Sequence, residues 1–275
     1  MTGILYLVAT PIGNLKDITL RAIEILQTVD LIAAEDTRHT VKLLNHYDIK
    51  TAKISYHEHN QQQRGKELLE KLKTGLNIAL VTDAGTPAIS DPGYNLVLAC
   101  IETGIDIIPI PGAMAGINGL IASGLTTERF CFEGFLPSKK KLRDSLLTSL
   151  QGEKRTMIFY EAPHHLLKTL MDFAHFFGNN RKITLARELT KLHEDFWRGT
   201  IQSSIELYQQ REPKGEYTII VEGNLESEEK TLTEDEIRQE MKKLIADGMT
   251  QSEASQHLAK YTTLSRREIY KLMNH

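Results

Sequence analysis

Residues 80–93 read Leu80-Val81-Thr82-Asp83-Ala84-Gly85-Thr86-Pro87-Ala88-Ile89-Ser90-Asp91-Pro92-Gly93. A short apolar run, Ile78 to Val81, stops abruptly in small, polar and turn-forming residues. Leu96, Val97, Ala99, Cys100 and Ile101 then supply the apolar face of a helix. Asp91 suits an N-cap and Pro92 the first helical position. A loop of about ten residues therefore hangs off the C-terminal end of a buried strand and feeds a helix. In open α/β sheets, ligands sit at such strand ends. Glycine and alanine let a ligand approach the backbone, and Asp83 and Ser90 can bond a ribose or an amine. An ordinary turn before a capped helix is the competing reading, and the loop alone does not decide.

The same grammar recurs upstream and downstream. The apolar run 4–9 ends in Ala9-Thr10-Pro11-Ile12-Gly13-Asn14-Leu15-Lys16-Asp17, before a helix carrying Leu20, Ile23, Leu26 and Val29. Leu31 to Ala34 deliver Glu35-Asp36-Thr37-Arg38-His39-Thr40 to a helix with Val41, Leu43 and Leu44. Lys53 to Tyr56 deliver His57-Glu58-His59-Asn60 to a helix over about 61–73. Ile105 to Ile110 end at Pro111-Gly112, and a small-residue helix spans 113–122 with Gly124 as its C-cap. Five strand-loop-helix units in succession predict a mostly parallel sheet with helices on both faces. The loops 10–17, 35–40, 57–60, 83–91 and 111–116 then share one sheet edge, which favours the ligand reading of 83–91.

Phe130-Cys131-Phe132 reads as a sixth strand, and Gly134 to Ser138 as a domain junction. A basic helix start follows at Lys139, Lys140, Lys141 and Arg143. A strand over 154–160 ends in Glu161-Ala162-Pro163, before a helix face of Leu166, Leu167, Leu170 and Phe173. Lys182 to Ala186 and Phe196 to Ile201 alternate as antiparallel strands do, and 215–222 is a last strand. The segment 223–236 is acidic and polar, as linkers are. In the tail, Ile237, Met241, Leu244 and Ile245 mark one helix. Thr250-Gln251-Ser252-Glu253 and Ser265-Arg266-Arg267-Glu268 are capping boxes opening two more, the last with Ile269, Leu272 and Met273 inward. The expected organisation is an N-terminal α/β domain over 1–135, a second α/β domain with a mixed sheet over 136–223, and a linker with a small helix-turn-helix-like domain over 224–275.

Composition excludes several classes. A hydrophobic fraction of 41% and a charged fraction of 25% are those of an ordinary globular protein. No apolar run approaches the roughly 18 residues of a membrane span, and Met1 to Val8 lacks the basic region of a secretory signal. Cys100 and Cys131 match no zinc spacing and read as small buried hydrophobes. A cytoplasmic location is the expectation. The net charge is −3, yet residues 136–215 carry 14 basic against 9 acidic side chains. Such a segment in an acidic chain permits a polyanionic partner.

The usual nucleotide fingerprints are missing: there is no G-x-G-x-x-G after the first strand and no G-x-x-x-x-G-K-[ST]. Gly112, Gly116, Gly119 and Gly124 sit at helix-packing spacing. NAD, FAD and ATP are disfavoured, and an uncharged or cationic adenosine derivative such as S-adenosylmethionine fits, though composition alone does not select it. Glu35-Asp36-Thr37-Arg38 is the catalytic candidate. Either Asp36 or Thr37 merely caps a helix while Glu35 pairs with Arg38, or Arg38 grips a phosphate or carboxylate while a carboxylate deprotonates a hydroxyl. His57 and His59 share a face without a third ligand, so no metal is expected there. Substrate contact or helix capping by Asn60 is expected instead. Lys139, Lys140 and Lys141 form a solvated helix start, or position phosphates if the substrate is nucleic acid.

Taken in order, Ala9-Thr10-Pro11-Ile12-Gly13-Asn14-Leu15, Ala34 to Arg38, Tyr56 to Asn60, Thr82 to Pro87, Ser90-Asp91-Pro92-Gly93, Pro111-Gly112 and Phe132-Glu133-Gly134-Phe135-Leu136-Pro137 resemble the ribosomal-RNA 2′-O-methyltransferase branch of the tetrapyrrole-methylase-like class. The resemblance runs over residues 3–222, and the tail is similar to the small helical domain of that branch. It implies a two-domain α/β homodimer that binds S-adenosylmethionine and methylates the ribose 2′-hydroxyl of a cytidine in the decoding region of 16S rRNA. Carried over by position, the cofactor would meet Pro11, Asp83, Ala84, Gly85, Thr86, Ser90, Pro111, Gly112, Ala113, Ala162, Pro163, Tyr217 and Thr218. Glu35, Asp36 and Arg38 would be catalytic. Thr37, His57, Asn60, Lys139, Lys140, Lys141, Arg266 and Arg267 would face RNA. Ala113-Met114-Ala115 departs from the pattern, which has a second proline and a smaller residue there. A porphyrinoid methyltransferase on the same fold is the first alternative. A nucleic-acid-binding regulator using the tail is the second, opposed by the tail's balanced charge and by some 220 residues of α/β chain without a purpose.

Overall fold

The computed structural model describes residues 2–224, 234–246, 248–259, 262 and 264–272. The chain divides into two compact units, Met1–Gly223 and Asn224–His275. Most of the expected linker (225–233 of 223–236) lies outside the described residues, as does Met273.

The first unit opens with alternating strands and helices: β1 (Ile4–Val8), α1 (Leu20–Thr28), β2 (Leu31–Ala34), α2 (Thr37–His46), β3 (Lys53–Ser55), α3 (Gln61–Lys73), β4 (Ile78–Val81), α4 (Tyr94–Glu102) and β5 (Asp106–Ile110). The five strands pair in the order β3-β2-β4-β1-β5, every pairing parallel. β2 and β4 are buried along their whole length, as strands covered on both faces are. Two apolar clusters occupy the two faces of this sheet's strands. Leu5, Ala33, Ile78 and Leu80 join helix residues Leu68, Leu72, Leu96 and Cys100. Val8, Ile32, Ala34, Ala79 and Val81 join Ala22, Leu26 and Leu44. This alternation follows from the two-residue period of a strand. Thr19 caps α1 through Ala22 N, and Leu20 falls outside the expected apolar face, 85% exposed.

The second half of the unit comprises α5 (Ala115–Ile121), β6 (Phe130–Phe135), α6 (Lys140–Leu150), β7 (Thr156–Glu161), α7 (Leu166–Phe177), β8 (Lys182–Arg187), β9 (Asp195–Thr200), α8 (Ile201–Gln210) and β10 (Tyr217–Val221). Its sheet has the order β6-β7-β10-β8-β9, with only β6 and β7 parallel. The strand expected at 130–132 is longer and pairs here with β7. A register shift between Phe132 and Gly134 marks a bulge. One face packs on α6, α7 and α8 through Leu147, Phe159, Phe173, Ile205 and Ile219. α5 lies on the other face, with Leu120 among Ile158, Ala186 and Ile220. The small-residue spacing explains that approach: a Cβ at Gly119 would stand 2.9 Å from Thr218 Cγ2 and 3.0 Å from Ile220 Cδ1.

The second unit holds α9 (Glu234–Ala246), α10 (Gln251–Leu258) and α11 (Arg266–Leu272). Ile237, Met241, Ala254, Leu258 and Ile269 form its small core. Both capping boxes are present: Thr250 and Glu253 exchange side-chain and backbone bonds, and so do Ser265 and Glu268.

The Gly119 contact yields a test. Gly119→Ala forces β10 and α5 apart and costs about 1–3 kcal/mol, the range for overpacking a close contact. Urea unfolding should show a lower midpoint with an unchanged slope.

Candidate functional site

The loop after β4 is bound into the first sheet's edge by its neighbours. Thr10 N donates to Gly85 O at 2.9 Å, and Gly85 N donates back to Thr10 O at 3.1 Å. The Thr10 hydroxyl donates to Thr82 O at 3.1 Å. From β2, the Glu35 carboxylate accepts from the Thr82 hydroxyl at 2.7 Å and from Asp83 N at 3.3 Å. Asp83 Oδ1 accepts in turn from Asp36 N at 3.1 Å. The Thr86 hydroxyl donates to Ala113 O at 3.1 Å, which ties in the loop after β5. Three neighbouring strand ends thus hold one loop.

Within that loop, Ala88 (φ 66°) and Ser90 (φ 59°) take left-handed backbone conformations. Non-glycine residues there cost of order 1–3 kcal/mol each and concentrate at ligand sites. The strain changes the expected helix start. Gly93, at φ 152°, is the N-cap and α4 begins at Tyr94, so Asp91 and Pro92 remain in the loop. Asp91 is thereby turned into a cleft.

The cleft has a volume of about 360 Å³ and lies between the two sheets. The first sheet contributes Ile12, Glu35, Thr82 to Thr86 and Ile89 to Asp91. The loop after β5 adds Met114 and Ala115. The second sheet adds Phe135, Tyr160, Glu161, Ala162, Ala186, Leu189, Lys191, Glu216, Tyr217 and Thr218. Of the expected cofactor contacts, Asp83, Ala84, Gly85, Thr86, Ser90, Ala162, Tyr217 and Thr218 meet here. Pro11, Pro111, Gly112, Ala113 and Pro163 are not among the lining residues. Gly112 packs closely on Ala9, and Ala113 acts through its carbonyl.

The Glu35–Arg38 segment divides. Glu35 faces the cleft and does not pair with Arg38. Asp36 is the N-cap of α2, accepting from Arg38 N at 2.8 Å, and pairs with the Arg38 guanidinium at 2.7 Å. That guanidinium, 90% exposed, holds the Asp36 carboxyl below the usual carboxylate range, chiefly through its side-chain hydrogen bonds. Thr37 is half-buried in the first turn of α2. His57 and Asn60 lie outside the cleft lining, because β3 is the edge strand farthest from β1 and β5. Asn60 makes no side-chain cap to α3. Its amide closes its own loop instead, accepting from His57 N at 2.9 Å and donating to Ser55 O at 3.3 Å. Lys139, Lys140 and Lys141 are all exposed at the start of α6. Arg266 and Arg267 are exposed on the second unit, where Arg266 donates to the Ser252 hydroxyl at 2.5 Å. Among the described residues, no group of three or more His, Cys, Asp or Glu could hold a metal ion.

Several lining residues escape sequence reasoning. Asp91 passes as a cap in the sequence, while Phe135, Tyr160 and Lys191 pass as core or surface. The backbone signal was available only at Gly134, next to the bulge. Electrostatically the cleft favours cations. Burial pushes the Asp91 carboxyl up to about 6, reinforced by Glu35 and Asp83 and opposed by the Thr82 hydroxyl. Burial also raises Asp83, against the Asp36 amide. Glu161 is buried, accepting from Ala162 N at 2.9 Å and from the Thr169 hydroxyl. Arg143 steadies that hydroxyl from α6, at 2.7 Å.

Residues 4–204 match the family model of the Tetrapyrrole (Corrin/Porphyrin) Methylases. The Ribosomal RNA small subunit methyltransferase I of Synechocystis sp. is 58% identical, over 98% of this chain and 97% of its own. The protein of the same name from Halalkalibacterium halodurans is 50% identical, over 98% and 94%, and that from Bacillus subtilis 46%, over 98% and 93%. Among solved structures, the methyltransferase CobJ superposes with a TM-score of 0.62 at 16% identity, covering 81% of this chain and 95% of its own. A diphthine synthase superposes at 0.61 and 14%, covering 80% and 90%. At that identity these two show the shared fold alone.

The Asp91 environment sets a pH dependence of stability. Its folded value, about 6, lies above the ordinary 3.8. The folded protein therefore binds a proton more readily than the unfolded chain, and stability falls as pH rises through about 6. Asp91→Asn removes the titration. It should melt above wild type near pH 8, by a margin that shrinks toward pH 4, in thermal melts across that range.

Proposed function

The chain belongs to the tetrapyrrole methylase family, in the group of the ribosomal RNA small subunit methyltransferases I, and we propose that it methylates the ribose 2′-hydroxyl of a cytidine in the decoding region of 16S rRNA. It is an S-adenosylmethionine-dependent methyltransferase. The observation that carries the substrate reading is the pairing of this fold with nearly full-length identity to relatives of that name. A porphyrinoid substrate is less supported, since the neighbours that share only the fold are 14–17% identical.

The donor set fits the cofactor. A cleft of backbone, small residues and apolar walls such as Ile12, Met114 and Leu189, with Asp83, Glu161 and Glu216 around it, complements a ligand bearing a sulfonium and an ammonium and no phosphate. Gly85 (φ 92°) presents backbone where a side chain would stand 3.4 Å from Ile12 Cγ2. Asp83 to Thr86, Ser90, Ala162, Tyr217 and Thr218 would hold it, with Pro11, Pro111, Gly112, Ala113 and Pro163 supporting them. When bound, the cofactor supplies a methyl group already activated by positive sulfur.

The protein's share is to place the 2′-oxygen in line and to take its proton. Glu35 is engaged by Thr82 and Asp83, and Asp36 by Arg38. Asp91 lines the cleft, and burial raises its proton affinity, as suits a group that accepts a proton. We assign proton acceptance to its carboxylate, shaping of the cleft to Glu35, and a backbone phosphate to Arg38, with Asp36 orienting the guanidinium. Thr37, His57 and Asn60 belong to the same RNA-facing edge. Lys139 to Lys141, with Arg266 and Arg267, supply further phosphate contacts. No helix among the described residues is long and apolar enough to cross a membrane. We place the enzyme in the cytoplasm, and as a homodimer; the dimer is supported by Tyr94, Leu98 and Ile101, which expose an apolar stripe at helical spacing on α4.

Small ribosomal subunits lacking the modification, with labelled cofactor, test this directly. Wild type should label 16S rRNA and leave precorrin-type rings unlabelled. Asp91→Asn should lose about 10²-fold or more in turnover, the scale of a lost general base, with cofactor affinity by calorimetry retained. Arg38→Ala and Asp36→Ala should raise KM. Wild-type kcat/KM in each of Glu35→Ala, Asp36→Ala and Arg38→Ala would remove the role of that segment. Charge reversal at Lys139, Lys140 and Lys141 should flatten the salt dependence of RNA binding by about 0.7–0.9 per lost contact.

A further inference from the structure

Phe135 is the most exposed of the large apolar side chains that line the cleft, at 58%, whereas Tyr217 and Leu189 are buried in it. Three features place it. The register shift between Phe132 and Gly134 interrupts β6, and bulges of this kind re-aim side chains beside active sites. Gly134 takes φ 63° at that point, and a Cβ there would stand 3.2 Å from Ser90 Oγ. The bulge therefore lies directly against the strained loop that carries Asp91. Finally, the ring is braced from within. Its centroid is 5.6 Å from that of Tyr160 in an edge contact, and the Tyr160 hydroxyl accepts from Gly116 N at 3.0 Å. A side chain that lines the cleft and is more than half exposed belongs to its rim. Ile89, 37% exposed, lines the same cleft from the adjoining loop.

We propose that Phe135 is the shelf on which the target nucleobase stacks while its ribose enters the cleft. This inference rests on the RNA-methylating function proposed above. A ribose buried to its 2′-hydroxyl must bring its base to the rim, because the two are covalently joined. Proteins that splay single nucleotides stack them on aromatic side chains. The chain then runs from Phe135 to Lys139 in four residues, about 14 Å at most. The flanking phosphates would thus meet exposed lysines one short step from the base. A braced ring loses little freedom when a base covers it, which is the advantage of Tyr160 behind it.

The test separates an aromatic shelf from a merely apolar rim. With small subunits as substrate, Phe135→Leu and Phe135→Ala should lower kcat/KM by about 5- to 100-fold, the range for one lost base–aromatic stack. Phe135→Trp should recover most of it. Cofactor affinity by calorimetry and melting temperature should stay at wild-type values in all three. A Phe135→Leu enzyme with wild-type kcat/KM overturns the shelf while leaving the RNA-methylating function standing. Loss of cofactor affinity matching the loss of activity assigns the ring to the cofactor and overturns it too. A wild-type enzyme that binds cofactor but labels no 16S rRNA overturns both readings.

Discussion

The cleft depends on cross-links between strand ends that sequence keeps far apart. In a parallel sheet no hairpin joins neighbours, so each strand end must be tied down by other means. Here the two backbone bonds between Thr10 and Gly85, and the Thr82 hydroxyl on Glu35, do so at 2.7–3.1 Å. They join β1, β2 and β4, which stand side by side in the sheet. With these bonds made, the 83–91 loop can tolerate left-handed conformations at Ala88 and Ser90. A free loop would relax them.

Electrostatics follows from the same ties. Drawing the ends of β2 and β4 together sets Glu35, Asp83 and Asp91 close to one another in a half-buried space, where burial raises the Asp83 and Asp91 carboxyls and the neighbouring like charges add to it. The fold releases part of that tension elsewhere: Asp36 turns outward onto Arg38 and becomes a helix cap. Two adjacent carboxylates, Glu35 and Asp36, thus receive opposite environments in the short turn between β2 and α2, where Asp36 serves as the helix cap. Such a division is common at functional sites, where stability is traded for reactivity.

Much of this was legible in the chain. Strand periodicity and small-residue loops define the parallel sheet and its functional edge, and seven ordered motifs point to the family. The misreadings have local causes. Asp91-Pro92 has the composition of a helix start, and only the left-handed turn at Ser90, which no residue type announces, carries the chain past it. Glu35 beside Arg38 reads as a pair, whereas Glu35 turns to Thr82 on the loop after β4 and Arg38, in the first turn of α2, folds back onto the cap Asp36. Asn60 has cap chemistry but spends it on Ser55 and His57. β6 follows five parallel strands in sequence, yet its partner β7 comes later, so nothing local reveals which sheet it joins. Phe135 reads as part of a domain junction, whereas it ends β6 just past the bulge and stands exposed at the cleft.

The position of β10 has a consequence for biosynthesis. This strand, Tyr217–Val221, is the last of the first unit and yet lies at the centre of the second sheet, between β7 and β8. The first sheet has all five strands once Ile110 has emerged from the ribosome, whereas the second lacks its middle until Val221 does. At 5–20 residues per second, the interval is about 6–20 s. During that time β7 and β8 have only open edges to offer each other, and Tyr217 and Thr218 are absent from the cleft. A nascent chain therefore has an incomplete cleft until the first unit is almost wholly synthesised, and the edges of β7 and β8 that face β10 are the ones a ribosome-bound chaperone would need to shield.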